Sequence, residues 1–260
     1  MAVERIEEYR MQNGEDILKV YCKPTKKFPE GKNYFYTDNN SITRALLTNY
    51  TWFIAQEKDK LCVRAIKHIT LDSTYTYRTT TYFHKEYAFE VLGYYPDCTD
   101  HIDGLAIDNR DYNLNIVNQK QNCRNRQSKG YVFEQRDNYF TAFIFINNVR
   151  ILKRCNTEYN ILHLVYSLRK YYYKDYDYNF LLDRRDDLDL LDAELTGKIS
   201  SEEATYRHVK RYVESNCWYV YRYGLEDYCK EHHIPIPSYS LDSQGFMIHP
   251  VTGQKLCPFK

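Results

Sequence analysis

The run DCTDHIDGLAIDNRDYNLNIVNQKQNCRNRQ, Asp97 to Gln127, decides how this chain is read. Its apolar and polar residues divide it into a short strand ending at His101, a polar loop over 103–112, a strand Leu114-Asn115-Ile116-Val117 and a short helix. The helix start is marked locally: Asn118 is a good N-cap and Gln121 stands at N3, the spacing of a capping box. A strand and a helix packed together bring the end of the first strand (Asp100, His101), the close of the loop (Asn113) and the first turn of the helix (Asn122) toward one small volume. Those side chains converge without any help from the cysteines. That volume is therefore a candidate site.

Upstream, residues 1–96 read as a mixed α/β segment behind a short polar lead. Thr51 to Gln56, a charged turn over 57–60 and Leu61 to Ile66 give a strand-turn-strand pattern. From Thr80 to Leu92 the apolar residues recur at helical spacing, and Gly93 stands where a helix C′ residue belongs. Downstream, 130–174 predicts three strands and a helix: Tyr131 to Gln135, an Asp137-Asn138 turn, Tyr139 to Ile146, an Asn147-Asn148 turn of type I′, Val149 to Arg154, then a helix capped by Asn156 or Thr157. That helix carries Ile161, Leu162, Leu164, Val165 and Leu168 on one face. Residues 175–260 open with an acidic stretch, Asp183 to Asp189, read as a solvated linker or helix face. A helix led by Ser200 and Glu203 follows, and then an irregular tail with a strand at Phe246 to His249. The expected class is α+β, with a mostly helical C-terminal extension of no assigned role.

Composition narrows the alternatives. Hydrophobic residues are 43% and charged residues 27% of the 260, values of an ordinary globular protein. The 28 Tyr residues suit cores, interfaces and nucleic-acid contacts alike, and so decide nothing alone. A net charge of +1 excludes a global basic field, so any nucleic-acid contact must use a local patch. The 8 Cys include no C-x-x-C pair, and no secretory signal or apolar run of membrane-spanning length is present. Reduced thiols in an intracellular, cytoplasmic protein are the expectation, the host cell being the setting if a phage or virus encodes it.

The run from Asp97 to Gln127 resembles the HNH family, whose fold is the ββα-metal finger, and within it the phage-type homing endonucleases. The matching pieces are Asp100-His101-Ile102-Asp103-Gly104, Asp108-Asn109-Arg110, Asn113-Leu114 and Asn122-Cys123-Arg124-Asn125-Arg126, in register over about thirty residues without an insertion. The resemblance implies that His101 is the general base and that Asp100 and Asn122 hold one divalent cation. It also implies that Asn113 keeps the loop in shape. The last metal position is Asn122 where the family name has His, which argues against zinc, and the oxygen ligands the resemblance implies point to Mg²⁺ or Mn²⁺.

Lys120, Arg124, Arg126 and Lys129, with Asn125 among them, form a basic cluster with no acid inside it, read as contacts to the DNA backbone. The 130–174 unit resembles in pattern and order the AP2-like DNA-binding domain, whose sheet enters the major groove. Gln135, Arg136, Tyr139, Thr141, Arg150 and Arg154 are then the candidate readers of double-stranded DNA. The implied protein is a metal-dependent homing or mobile-element endonuclease. Its rivals are a restriction-type nuclease and a catalytically decayed protein that binds DNA without cutting. Cys229, His232, His233, His249 and Cys257 match no metal-ligand spacing and were set aside as turn and packing residues.

Overall fold

The computed structural model describes residues 3–57, 60–70, 76–124, 130–146, 149–172, 187–215 and 225–255. The protein is α+β, built from helices and several small antiparallel sheets. The chain divides into two compact units, one of residues 1–122 with 182–204 and the other of 123–181 with 205–260. The expected boundaries at 129/130 and 174/175 are therefore redrawn. The acidic stretch leads into a helix that belongs to the N-terminal unit, and the C-terminal extension completes the sheet-and-helix unit.

In the first unit, β1 (Val3–Arg10), β2 (Asp16–Cys22) and β3 (Tyr34–Asp38) form an antiparallel sheet in that order. The sequence reading took β1 for a polar lead, because Glu4, Glu7 and Glu8 hide its alternation. Strand β2 is buried on both faces after Asp16, so it too lacks an apolar-polar alternation. Helix α1 (Ser41–Asn49) follows, with Asn40 as N-cap accepting from the Thr43 amide at 2.8 Å.

Strands β4 (Trp52–Glu57), β5 (Lys60–Thr70) and β6 (Thr76–Tyr82) make a second antiparallel sheet, as the strand-turn-strand pattern predicts for its first pair. Helix α2 (Phe83–Leu92) starts three residues later than expected, since Thr80 to Tyr82 finish β6. It ends where expected: Gly93 takes the left-handed conformation at φ 76° and its amide closes on the Phe89 carbonyl at 2.8 Å. Leu18, Val20, Phe35, Leu46, Trp52, Val63, Phe83 and Ile107 share one core.

Strands β7 (Cys98–His101) and β8 (Leu114–Val117) pair antiparallel, and α3 (Gln119–Arg124) follows. The unit is closed much later in the chain by α5 (Leu188–Leu195), whose Leu191 and Leu195 pack with Ile17, Tyr36 and Leu105. Asp192 on that helix takes the Lys19 ammonium and the Tyr36 hydroxyl, and Lys19 lies over the Tyr34 ring at 4.1 Å.

The second unit is the predicted three-stranded sheet and helix. It consists of β9 (Tyr131–Glu134), β10 (Tyr139–Ile146) and β11 (Val149–Cys155) with β10 central, and α4 (Glu158–Tyr172) behind them. The Asn147-Asn148 turn lies outside the described residues. Thr157 is the cap, its hydroxyl accepting from the Asn160 amide at 3.2 Å. A sheet and one helix this small bury little surface, which is why the later segments matter. Val209 and Val213 of α6 (Ser201–Ser215), Leu225 and Cys229 of α7 (Leu225–Glu231), Ile234 and Met247 join Tyr131, Phe140, Ile161 and Val165 in one core. Ser200 caps α6 as its spacing predicts, accepting from the Glu203 amide at 3.1 Å.

The strand at Phe246 to His249 shortens to β13 (Met247–Ile248), paired with β12 (Ser240–Leu241). Buried Glu158 ties this hairpin to the sheet: its carboxylate accepts from the Tyr131 hydroxyl and, at 3.0 Å, from the Met247 amide. No described helix is long and apolar enough to cross a membrane.

Candidate active site

The elements of the quoted run form as strand, loop, strand and helix, all in the first unit up to Asn122. The capping box is complete: Asn118 Oδ1 accepts from the Gln121 amide and Gln121 Oε1 from the Asn118 amide, both at 2.9 Å.

The loop differs from its sequence reading. Although dense in Asp, Asn and Arg, it is not a solvated connection: Asp103, Leu105, Ile107, Asp108, Asn109 and Arg110 are all buried. Its polar groups are satisfied inside the fold, as burial requires. Arg110 grips Asp108 with two bonds, Nε to Oδ1 and Nη2 to Oδ2, each 2.8 Å. Burial alone would lower the Arg110 pKa, but the Asp108 charge and hydrogen bonds outweigh it and hold the guanidinium charged. The loop backbone also docks on the edge of β3, with Tyr36 N to Ile107 O and Asn109 N to Tyr36 O both 2.8 Å.

Asn113 stitches the loop shut. Fully buried at the end of the short 3₁₀ turn Asp111–Asn113, its Oδ1 accepts from the Asp103 amide at 3.0 Å. Its Nδ2 donates to Asp103 Oδ1 at 2.9 Å and to the Asp108 carbonyl at 2.8 Å. Burial, then the Asp108 charge, push the Asp103 carboxyl well above its ordinary pKa, against the lowering effect of the Asn113 bond. Asn113 therefore fixes loop geometry.

His101 is 6% exposed, and its Nε2 lies 3.3 Å from Asn109 Oδ1. The Asn109 Nδ2 donates to the Ala106 carbonyl at 3.3 Å, which fixes the amide with its oxygen toward the imidazole. An amide oxygen only accepts, so Nε2 is the donor in this contact. The His84 ring on α2 stands edge-on to His101, centroids 4.9 Å apart. Desolvation, then His101 and Lys85, hold the His84 pKa well below 6.5, so it is neutral there. Asn109 and His84 are the two site residues the sequence reading missed as such. Asn109 stood inside a quoted motif whose role was not assigned, and His84 carried no local signal, since only the tertiary fold sets α2 against β7.

The alternation of a strand puts Cys98 and Asp100 on one face of β7 and His101 on the other. Asn122 of α3 belongs to the Asp100 face: its Nδ2 donates to Cys98 Sγ at 3.5 Å, which turns its amide oxygen away from the thiol. Asp100 and Asn122 thus share a face, while His101 stands next to Asp100 across the end of the strand. Two oxygen donors from a carboxylate and an amide suit a hard cation whose remaining positions are filled by water and phosphate oxygens. Among the described residues no three His, Cys, Asp or Glu side chains cluster as a metal-ligand set, so a cation here would depend on the Asn122 amide.

Of the basic cluster, Lys120 is exposed on α3, and the backbone of Arg124 closes that helix. Asn125, Arg126 and Lys129 lie outside the described residues. On the second unit, Gln135 and Arg136 are exposed in the turn between β9 and β10. Arg150 lies over the Phe143 ring at 4.9 Å, and Arg154 over the Tyr139 ring at 4.7 Å with Glu134 at 4.0 Å. Thr141 is a correction: it is 2% exposed and its hydroxyl is committed to Glu134, so it lies sunk between its neighbours and presents nothing to a groove. No protein-family model matches the chain, and no curated protein and no solved structure is significantly similar to it.

Proposed function

We propose that this protein is a metal-dependent DNA endonuclease of the HNH type, hydrolysing phosphodiester bonds with one Mg²⁺ or Mn²⁺. The observation that carries the reading is the buried lock on the loop between β7 and β8. Asn113, Asp103 and the Asp108–Arg110 pair spend several buried polar groups to hold Asp100 and His101 at the strand end. Burying so many polar groups costs stability unless position is what matters.

His101, held through Nε2 by Asn109, is the base that takes a proton from the attacking water. Asp100 and Asn122 would hold the cation, which when bound stabilises charge on the leaving oxygen. Lys120 and the basic residues after it hold the DNA backbone, and the sheet of the second unit supplies the AP2-like reader. A homing or mobile-element role follows from the same resemblance.

The test is a supercoiled-plasmid assay with Mg²⁺, with Mn²⁺ and with EDTA. Nicking or linearisation with either metal and none with EDTA is expected. DNA binding without cutting under every metal condition would identify a decayed nuclease instead.

A further inference from the structure

The exposed face of the β9–β10–β11 sheet carries more than arginines. Core residues Phe140, Ala142 and Ile144 alternate along β10 with Thr141, Phe143 and Phe145, and α4 covers only the first set. On the other face Phe143 is 37% and Phe145 56% exposed, and beside them stand exposed Val132 of β9 and Leu152 of β11. The register makes this one surface: Phe143 opposes Leu152, Phe145 opposes Arg150, and Thr141 lies between Val132 and Arg154. Apolar side chains thus alternate with the two arginines across neighbouring strands, instead of forming an apolar patch with a charged rim.

Charge selects the occupant. Residues 118–155 hold eight Lys and Arg against two acids, Glu134 and Asp137, in a chain whose net charge is only +1, so the rest of the molecule carries more acids than bases. A polyanion is drawn to this segment more than to the chain as a whole. A neutral protein partner would leave the arginines unmatched, whereas duplex DNA offers both chemistries on one groove floor: guanine O6 and N7 accept from Arg, and the thymine C5-methyl is the apolar group a Phe, Val or Leu can touch.

We propose that this face reads thymine methyl groups, with Phe143, Phe145, Val132 and Leu152 as the contacts, alongside guanines read by Arg150 and Arg154. This rests on the DNA-binding reading above and adds the base class recognised. The free protein is arranged for it: each arginine lies against a ring of the same face, at 4.9 Å for Arg150 on Phe143 and 4.7 Å for Arg154 on Tyr139. That contact keeps the guanidinium raised on an apolar base, where it can turn to a purine edge while the ring is left to a methyl group.

The full chain is used, in Ca²⁺ buffer that supports binding and not cutting, to select from a random-sequence duplex library. The selected duplex is then made twice, once with thymine and once with uracil, which removes the C5-methyl and keeps phosphates and pairing. Binding about tenfold or more weaker to the uracil form is expected, since each buried methyl contributes roughly a factor of four and several lie on the face. Phe145→Ser, a change at an exposed site, should shrink that ratio toward one. Equal affinity for thymine and uracil forms of an enriched site would overturn methyl reading and leave DNA recognition standing. Failure to bind any duplex would overturn both.

Discussion

His101 gains its assigned role from what surrounds it. With Nε2 turned to Asn109 and the ring edge against neutral His84, the imidazole is held on two sides. His101→Ala should lower plasmid cleavage by about a hundredfold or more, the usual worth of a general base, and leave the DNA dissociation constant within about threefold. A variant that cuts like the parent would remove His101 from the reaction. Asn122 gives a second test. Loss of even a supporting partner at a metal site costs about 10–100-fold, so loss of the ligand in Asn122→Ala should cost no less. Asn122→Asp keeps an oxygen in place and should retain part of the rate at lower metal concentration, since it adds a charge that tightens the cation and weakens its pull on phosphate. The check is nicking rate against Mg²⁺ and Mn²⁺ concentration; equal rates for parent and Ala throughout would make Asn122 a helix-surface residue. The sequence places these residues at the end of one strand and in the first turn of one helix, and the fold has both elements there. The burial of the Asp108–Arg110 pair was not legible in the sequence, since an Asp-Asn-Arg run spells a solvated turn until a β3 edge is brought to it.

Elements were legible where a local device wrote them. The Asn118–Gln121 box, the Ser200 cap and Gly93 were all read from spacing, and all close hydrogen bonds in the fold. Strands β1 to β3 were missed, because a strand buried on both faces and a neighbour rich in Glu show no two-residue period. The β12–β13 hairpin shows how an element without strong propensity is held. Gly245 has φ +80°, and a Cβ there would sit 2.6 Å from the Asn156 carbonyl oxygen, at the point where the Glu158 amide donates to the Gly245 carbonyl at 2.8 Å. Gly253 also has positive φ, but nothing lies within 4 Å of its would-be Cβ. Gly245→Ala should therefore cost about 2–4 kcal/mol and Gly253→Ala about 1 kcal/mol, read as denaturant midpoints. Equal losses would mean that the close approach to Asn156 relaxes without cost.

Across the whole molecule, stability should depend on pH through a histidine that packs against the candidate site. His84 has a folded pKa well below its unfolded value of 6.5, owing first to burial and then to His101 and Lys85. Above pH 6.5 both states hold it neutral and it adds no pH dependence. Below that the unfolded chain binds a proton that the fold refuses, so stability falls with a slope of up to about 1.4 kcal/mol per pH unit. Urea midpoints between pH 7.5 and 5.5 should decline in the parent and decline less in His84→Phe; parallel profiles would show that His84 titrates freely.

The two units also interleave along the chain, and that order has a consequence for synthesis. The first unit needs α5, whose Asp192 meets Lys19 from 173 positions downstream. Everything from 123 to 181 must leave the ribosome before Leu191 and Leu195 are available to Ile17 and Tyr36. The loop that fixes His101 belongs to that waiting unit, because Leu105 packs in the same cluster as those two leucines. A nascent chain can therefore complete the sequence from Asp97 to Gln127 well before the unit that positions it can close. The candidate site should take its shape late in translation, after the second unit's sheet has already been made.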